Sequence, residues 1–193
     1  MYRADATEPE SGIIHEPLVA AIAAFLRPQL YVELGANGAS TFRMVVPFAE
    51  RGIAVDIEAY EHFFEGIPNG RFVRQDSVEF LRGLDDDCVD LCFIDSSHEY
   101  GTTIAEFEQL VRVVRPNGVV LFHDSHPPNE AYISVGACGG VCDAIQTLKQ
   151  RFVTTFEFAT LPAQFGLTIA RKNLGRGSST SASTRTRSVT SIV

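Results

Sequence analysis

The sequence predicts an α/β domain whose seven-stranded, mostly parallel sheet carries helices on both faces, and three observations predict it. Short apolar runs alternate with helical patterns, the arrangement that produces strand, crossover helix and parallel strand in succession. A chain of 193 residues is long enough for one such domain with a full core and too short for two. Its 45% hydrophobic and 21% charged residues are ordinary for a globular protein. The domain is predicted over 14–172, between an N-terminal extension (1–13) and a tail (173–193) of mainly Gly, Ser, Thr and Arg that has little to bury and should be disordered.

The elements follow in order. A helix opens near Glu16-Pro17, with proline in its first turn, and runs to Arg27, where Pro28 stops it. Strands are predicted at Leu30–Leu34, Ile53–Ile57, Phe72–Gln75, Val89–Ile94 and Val119–Phe122, with helices between them at Ser40–Glu50, Ala59–Glu65, Ser77–Leu84 and Thr102–Val114. The last helix aligns Ile104, Phe107, Leu110, Val111 and Val114 at the spacing that packs a helix on a sheet. An irregular stretch over His126–Gly140 precedes a helix at Val141–Arg151, and two final strands fit Thr154–Phe158 and Phe165–Ala170.

Composition excludes several functions. The net charge is −8, but the five basic and no acidic residues from Arg171 onward leave −13 on the first 170 residues, a surface that repels phosphate backbones. No apolar run is long enough to span a membrane and the N-terminus has no signal-peptide pattern, so the expectation is a cytoplasmic protein bound to neither nucleic acid nor membrane. Homo-oligomer formation is left open. The four cysteines form two pairs, Cys88/Cys92 and Cys138/Cys142, each with three intervening residues; reduced buried thiols explain them better than zinc.

In an open parallel sheet the ligand crevice lies at the carboxyl ends of the strands. After the first predicted strand comes Gly35-Ala36-Asn37-Gly38-Ala39-Ser40-Thr41, where the glycines permit a tight turn and a close ligand approach and Ser40 or Thr41 can cap a helix. The turn lacks the three-glycine dinucleotide pattern, which disfavours nicotinamide and flavin cofactors. Asp56, followed by Ile57, ends the second strand about twenty residues on and can accept from both hydroxyls of a ribose. Asp76-Ser77, ending the third, can meet an adenine amine, cap the next helix, or do both. The fourth and fifth strands end in Asp95-Ser96-Ser97-His98 and His123-Asp124-Ser125-His126, so three histidines and two aspartates converge on one mouth.

Taken together, Val32-Glu33-Leu34-Gly35 with Gly38 and Ser40-Thr41, Asp56, Phe93-Ile94-Asp95 with His98 and Tyr100, Arg115-Pro116-Asn117-Gly118 and Phe122-His123-Asp124 resemble the class I S-adenosylmethionine (SAM)-dependent methyltransferases, which are Rossmann-like. Within them the chain is most similar to the macrocin-type sugar and natural-product O-methyltransferases, over about residues 14 to 170. The resemblance implies that Glu33 lies near the methionine part of SAM beside the turn of Gly35, Ala36, Asn37, Gly38 and Ser40; that Asp56 and Ile57 meet the ribose; and that Asp76 and Ser77 border the adenine. It further implies that Asp95 lies at the reaction centre, that Asp95 and Asp124 occupy the positions of magnesium ligands in metal-dependent members, and that His98 is the general base. His123 and Ser125 flank the second aspartate where some relatives place another oxygen ligand, which leaves a hard cation few protein oxygens.

The implied chemistry is in-line transfer of a methyl group to the hydroxyl of a small-molecule acceptor, deprotonated by His98. Two other readings stay open. A metal-dependent hydrolase or lyase would use the histidine–aspartate cluster and leave the glycine turn without purpose, and a binding or regulatory protein would keep the fold without turnover. The acceptor pocket is expected under His126–Gly140.

Overall fold

The computed structural model describes residues 14–134 and 137–174. The expectations for the N-terminal extension and for nearly all of the tail therefore lie outside the described residues.

Seven strands form one sheet: β1 (Leu30–Leu34), β2 (Arg51–Asp56), β3 (Gly70–Arg74), β4 (Val89–Ile94), β5 (Val114–Phe122), β6 (Phe156–Leu161) and β7 (Leu167–Lys172). Their order is β3-β2-β1-β4-β5-β7-β6. The first five are parallel to their neighbours, and β7 runs antiparallel to both β5 and β6. The predicted sheet is therefore present in strand number and direction. β1 is buried at all five positions, the pattern of a central strand covered on both faces.

Two helices cover one face and three the other. Helices α1 (His15–Leu26) and α2 (Ser40–Val45) pack on Tyr31, Leu91, Phe93 and Leu121. Helices α3 (Ser77–Arg82), α4 (Tyr100–Val113) and α5 (Val141–Arg151) pack on Val32, Leu34, Ile94, Val120 and Phe122. Strand side chains alternate between faces, so consecutive residues of β1, β4 and β5 feed opposite cores. On the second face Phe107 is fully buried among the rings of Phe122, Phe152, Phe156 and Phe158, with centroids 4.8 to 6.0 Å from its own.

Several predicted elements are corrected. The helix expected over Ser40–Glu50 ends at Val45 and continues as a 3-10 turn over Val46–Phe48, because Pro47 has no N–H for an α-helical bond. The helix expected over Ala59–Glu65 is reduced to a 3-10 turn at Glu61–Phe63; no side chain caps it and Gly66 and Pro68 follow at once. β5 starts five residues early, at Val114, with a register shift against β4 between Val89 and Leu91 and a left-handed residue at Asn117. The buried stripe of α4 is Thr103, Glu106, Phe107, Leu110 and Val113, rotated from the predicted one, with Ile104 and Val111 half-buried at its margin.

Among the described residues no helix is long and apolar enough to cross a membrane. Replacing Phe107 by Ala should cost about 3–5 kcal/mol of unfolding free energy, measured by urea denaturation, because four rings pack around the space it fills.

Candidate active site and cofactor cleft

The cleft opens where the chain leaves the sheet. Gly35 follows β1 at φ 81°, in the left-handed region, and donates its N–H to the Val55 carbonyl of β2 at 2.9 Å. A β-carbon at this position would collide with the carbonyl of Asp95 and with Ser96 Cα. Only glycine lets the turn after β1 lie against the turn after β4. Asn37 and Ala39 also take positive φ, so the chain coils tightly before α2.

This turn and the ends of β2, β3 and β4 enclose a cavity of about 680 Å³. Of the predicted cofactor contacts, Gly35, Asn37, Asp56, Ile57, Asp76, Ser77 and Asp95 are on its wall, as is His98. Ala36, Gly38 and Ser40 are not; Ala36 is buried, and Gly38 and Ser40 face solvent at the outer side of the turn. Asp56 is already oriented by backbone amides: its Oδ2 accepts from Asn37 at 3.2 Å and its Oδ1 from Glu58 at 3.0 Å. Asp76 caps α3, its Oδ1 accepting from the Glu79 amide at 2.9 Å. Val55, Glu58, Tyr60, Gln75, Ser96, Ser97 and Thr102 also line the wall and were not among the predicted contacts; several lie beside predicted residues at the same strand ends.

Glu33 lies behind this wall. It is 2% exposed, absent from the cavity wall, and accepts a hydrogen bond from the Tyr31 hydroxyl two residues before it on the same side of β1. Burial pushes its carboxyl up to about 8, with the Tyr31 bond opposing. It is therefore a neutral acid inside the core at neutral pH.

The ends of β4 and β5 form a second group beside the cavity. His98 Nε2 lies 3.0 Å from Asp124 Oδ2, and His123 Nδ1 lies 3.1 Å from Asp95 Oδ1 and 3.4 Å from that same Asp124 oxygen. The thiol of Cys138 donates to the other oxygen, Asp124 Oδ1, at 3.6 Å. His123 Nε2 is 3.2 Å from the Gln164 carbonyl, so both ring nitrogens have acceptors and the ring is held as an imidazolium. Burial disfavours that charge, but the hydrogen bonds to Asp124 and Asp95 outweigh it and push His123 up to about 10. Burial would likewise raise Asp124, yet the two imidazoles hold it well below the usual carboxylate range. The hydrogen bond to Asp124 raises His98 above its ordinary value of 6.5. His15, from α1, packs its ring against His123 at a tilt of 38° with centroids 3.9 Å apart, and burial lowers its pKa, so it packs as a neutral ring.

Local backbone supports this group. Asp124 sits at φ 53°, a left-handed conformation costly for a residue other than glycine and tolerated where surroundings fix it. Gly139 at φ 53° lies so close to His98 that a β-carbon would strike its carbonyl, and the Gly140 amide donates to the same carbonyl at 2.7 Å.

One ligand atom each from Asp95, His98 and Asp124 gathers within 4.8 Å, so the donors for a cation are near one another. They do not fit magnesium. That ion asks for a shell of oxygens, whereas here Asp124 is bound by two imidazoles and a thiol and the Asp95 oxygen by an imidazolium. The described cysteines are free thiols, and among the described residues no cysteine joins a cluster of metal-ligating groups.

The strand ends that carry these groups coincide with a known family. A family model described as a methyltransferase domain matches residues 32–125, from β1 to the residue after Asp124. Over those residues, just under half of the chain, it is similar to a methyltransferase domain. Solved structures agree with this methyltransferase fold at low sequence identity. A methyltransferase from Geobacter sulfurreducens is 14% identical with a TM-score of 0.65, covering 82% of this chain and 78% of that one. A putative caffeoyl-CoA O-methyltransferase from Staphylococcus aureus is 13% identical with a TM-score of 0.65, covering 82% and 83%. An O-methyltransferase from Bacillus cereus, solved with S-adenosylhomocysteine (SAH), is 13% identical with a TM-score of 0.65, covering 88% and 86%. The uncharacterized protein y4gI of Sinorhizobium fredii is 28% identical over 141 residues, covering 61% of this chain but only 16% of that protein's length.

Two outcomes follow from the local geometry. Gly35→Ala should lower the melting temperature, read by calorimetry, because the new methyl group forces the β1 and β4 turns apart. For Glu33 the unfolded carboxyl titrates near 4.5 and the folded one near 8, so the unfolded state loses its proton first. Its contribution to stability is complete below the lower value and lost as pH rises through the upper one. Glu33→Gln should accordingly flatten the decline in melting temperature between about pH 5 and about pH 8, read by calorimetry.

Proposed function

We propose that this chain transfers the methyl group of SAM to the hydroxyl of a small acceptor, a sugar or a related natural product, with His98 as general base. The observation that carries this reading is the His98–Asp124 pair, 3.0 Å apart, at the edge of a 680 Å³ cavity whose other strand ends present Asp56 and Asp76. The O-methyltransferase and SAH named for the structural neighbours support the same chemistry, and the resemblance to macrocin-type enzymes supports a sugar or natural-product acceptor.

SAM supplies the electrophilic methyl group. Asp56 accepts from the ribose hydroxyls, Asp76 and Ser77 border the adenine, and the turn at Gly35 and Asn37 lets the backbone approach the rest of the cofactor. In-line displacement requires mainly that donor and acceptor be held in line and that the acceptor oxygen be freed of its proton. His98 takes that proton, and the Asp124 carboxylate, kept ionised by its two imidazole neighbours, balances the imidazolium that results. His123, already charged, fixes Asp95 and Asp124 in place. Because these carboxylates are neutralised by protein cations, no step in this account passes through magnesium.

His98→Ala should lower kcat by about 10²–10⁴ in an assay that follows SAH release with a panel of sugar and phenolic hydroxyls, with SAM affinity little changed. The raised pKa of His98 means that the base form gains with pH, so the wild-type rate should climb through neutrality to an alkaline plateau. Full activity in the Ala variant would remove the base assignment. Dependence of the rate on added magnesium would contradict the metal-free route.

A further inference from the structure

Glu106 is a charged-type residue in an apolar place. It sits in the buried stripe of α4, fully inaccessible, between Thr103 and Phe107. Its Oε1 accepts hydrogen bonds from two serine hydroxyls, Ser77 at 2.6 Å and Ser96 at 2.7 Å, while Oε2 is buried without a partner. The two serines come from different strand ends, after β3 and after β4, and both line the cavity next to Asp76. A buried carboxyl in helix α4 thus reaches the back of the wall on which the adenine end of the cofactor is placed above.

A serine hydroxyl has one proton to donate and two lone pairs to offer. With both protons committed to Glu106, Ser77 and Ser96 can only accept from a ligand in the cavity. Burial pushes Glu106 up to about 7, with the serine bonds opposing and Asp76 adding to the rise. The polarity of the wall does not depend on that proton. A protonated Glu106 carries it on Oε2, and Oε1 still accepts from both serines.

We propose that Glu106 is a specificity-determining positioning residue: it fixes Ser77 and Ser96 as acceptors and so selects a purine with a 6-amino group over one with a 6-oxo group. The proposal rests on the cofactor reading above and goes beyond it by naming a residue that touches no ligand and yet sets the hydrogen-bond polarity of the base subsite. Asp76 lies on the same stretch of wall and is a further acceptor, so this end of the cavity offers acceptors to a base amine. An oxo group would face acceptors alone, and leaving such groups unpaired in a closed pocket is what makes hydrogen-bond discrimination large.

The test is calorimetric binding of SAH and of its 6-oxo analogue, S-inosylhomocysteine, to the full chain and to two variants. The wild type should bind SAH at least about tenfold more tightly than the 6-oxo analogue. Glu106→Met removes the acceptor at similar volume and keeps the apolar packing of its stem. Freed serine hydroxyls can then donate, so the preference should fall to near unity chiefly through tighter binding of the 6-oxo analogue. Should that variant fail to fold, Ser77→Ala with Ser96→Ala reads the same wall from the cavity side and should weaken SAH without improving the analogue. Equal wild-type affinity for the two ligands, retained discrimination in folded Glu106→Met, or unchanged SAH affinity in the double serine variant would each overturn the proposal. Absence of SAH binding by the wild type would instead overturn the cofactor reading beneath it.

Discussion

The site depends on how closely the turns after β1 and β4 can approach. These strands run side by side in the middle of the sheet, and at their carboxyl ends Gly35 lies against the Asp95 carbonyl and Ser96 with no room for a β-carbon. Because that contact is tight, the two chains part immediately beyond it, one toward Asn37 and α2, the other toward His98 and α4. The cavity is the space between them, and Asp56, Asp76 and Asp95 reach it from the ends of β2 and β3 on one side of β1 and of β4 on the other. The same topology that buries β1 on both faces thus sets its end at the mouth of the crevice.

Beside that cavity the charges are balanced within the protein. Asp95 and Asp124 would repel one another in a buried setting, and His123 lies within 3.4 Å of an oxygen of each. His98 joins through Asp124, and Cys138 occupies the remaining oxygen of that residue. Asp124 holds this position in a left-handed conformation that its three partners and the sheet must over-determine. Glu33, one strand away, escapes the same problem by remaining protonated, its carboxyl raised to about 8 by burial.

Much of this was legible in the sequence, and the exceptions are physical. β1, β4 and α5 have the bounds that hydrophobic runs and punctuation predict, because continuous burial leaves an unbroken apolar signal. Asp56, Asp76, Asp95 and His98 were found by their place after a strand, a rule of topology that needs no contacts. Glu33 lies off the cavity wall because strand alternation aims it to the side opposite its neighbours, where the Tyr31 hydroxyl donates to it. Glu106 was missed since a single acid on a helix reads as solvated, and only the packing of α4 under two strand ends shows its two serine partners. Likewise nothing in the sequence marks His15; its ring contact with His123 spans more than one hundred residues of chain.

The central claim is that the cavity at these strand ends is a SAM site that works with the protein's own charges. It is tested most directly by calorimetric titration of the purified chain with SAM, once with magnesium and once with a chelator, alongside Asp56→Ala. The account predicts one site of micromolar order, the same affinity in both buffers, and a loss of at least about tenfold in the variant, the scale of a lost charged hydrogen bond. No binding in either buffer, or binding that Asp56→Ala leaves unchanged, would contradict it.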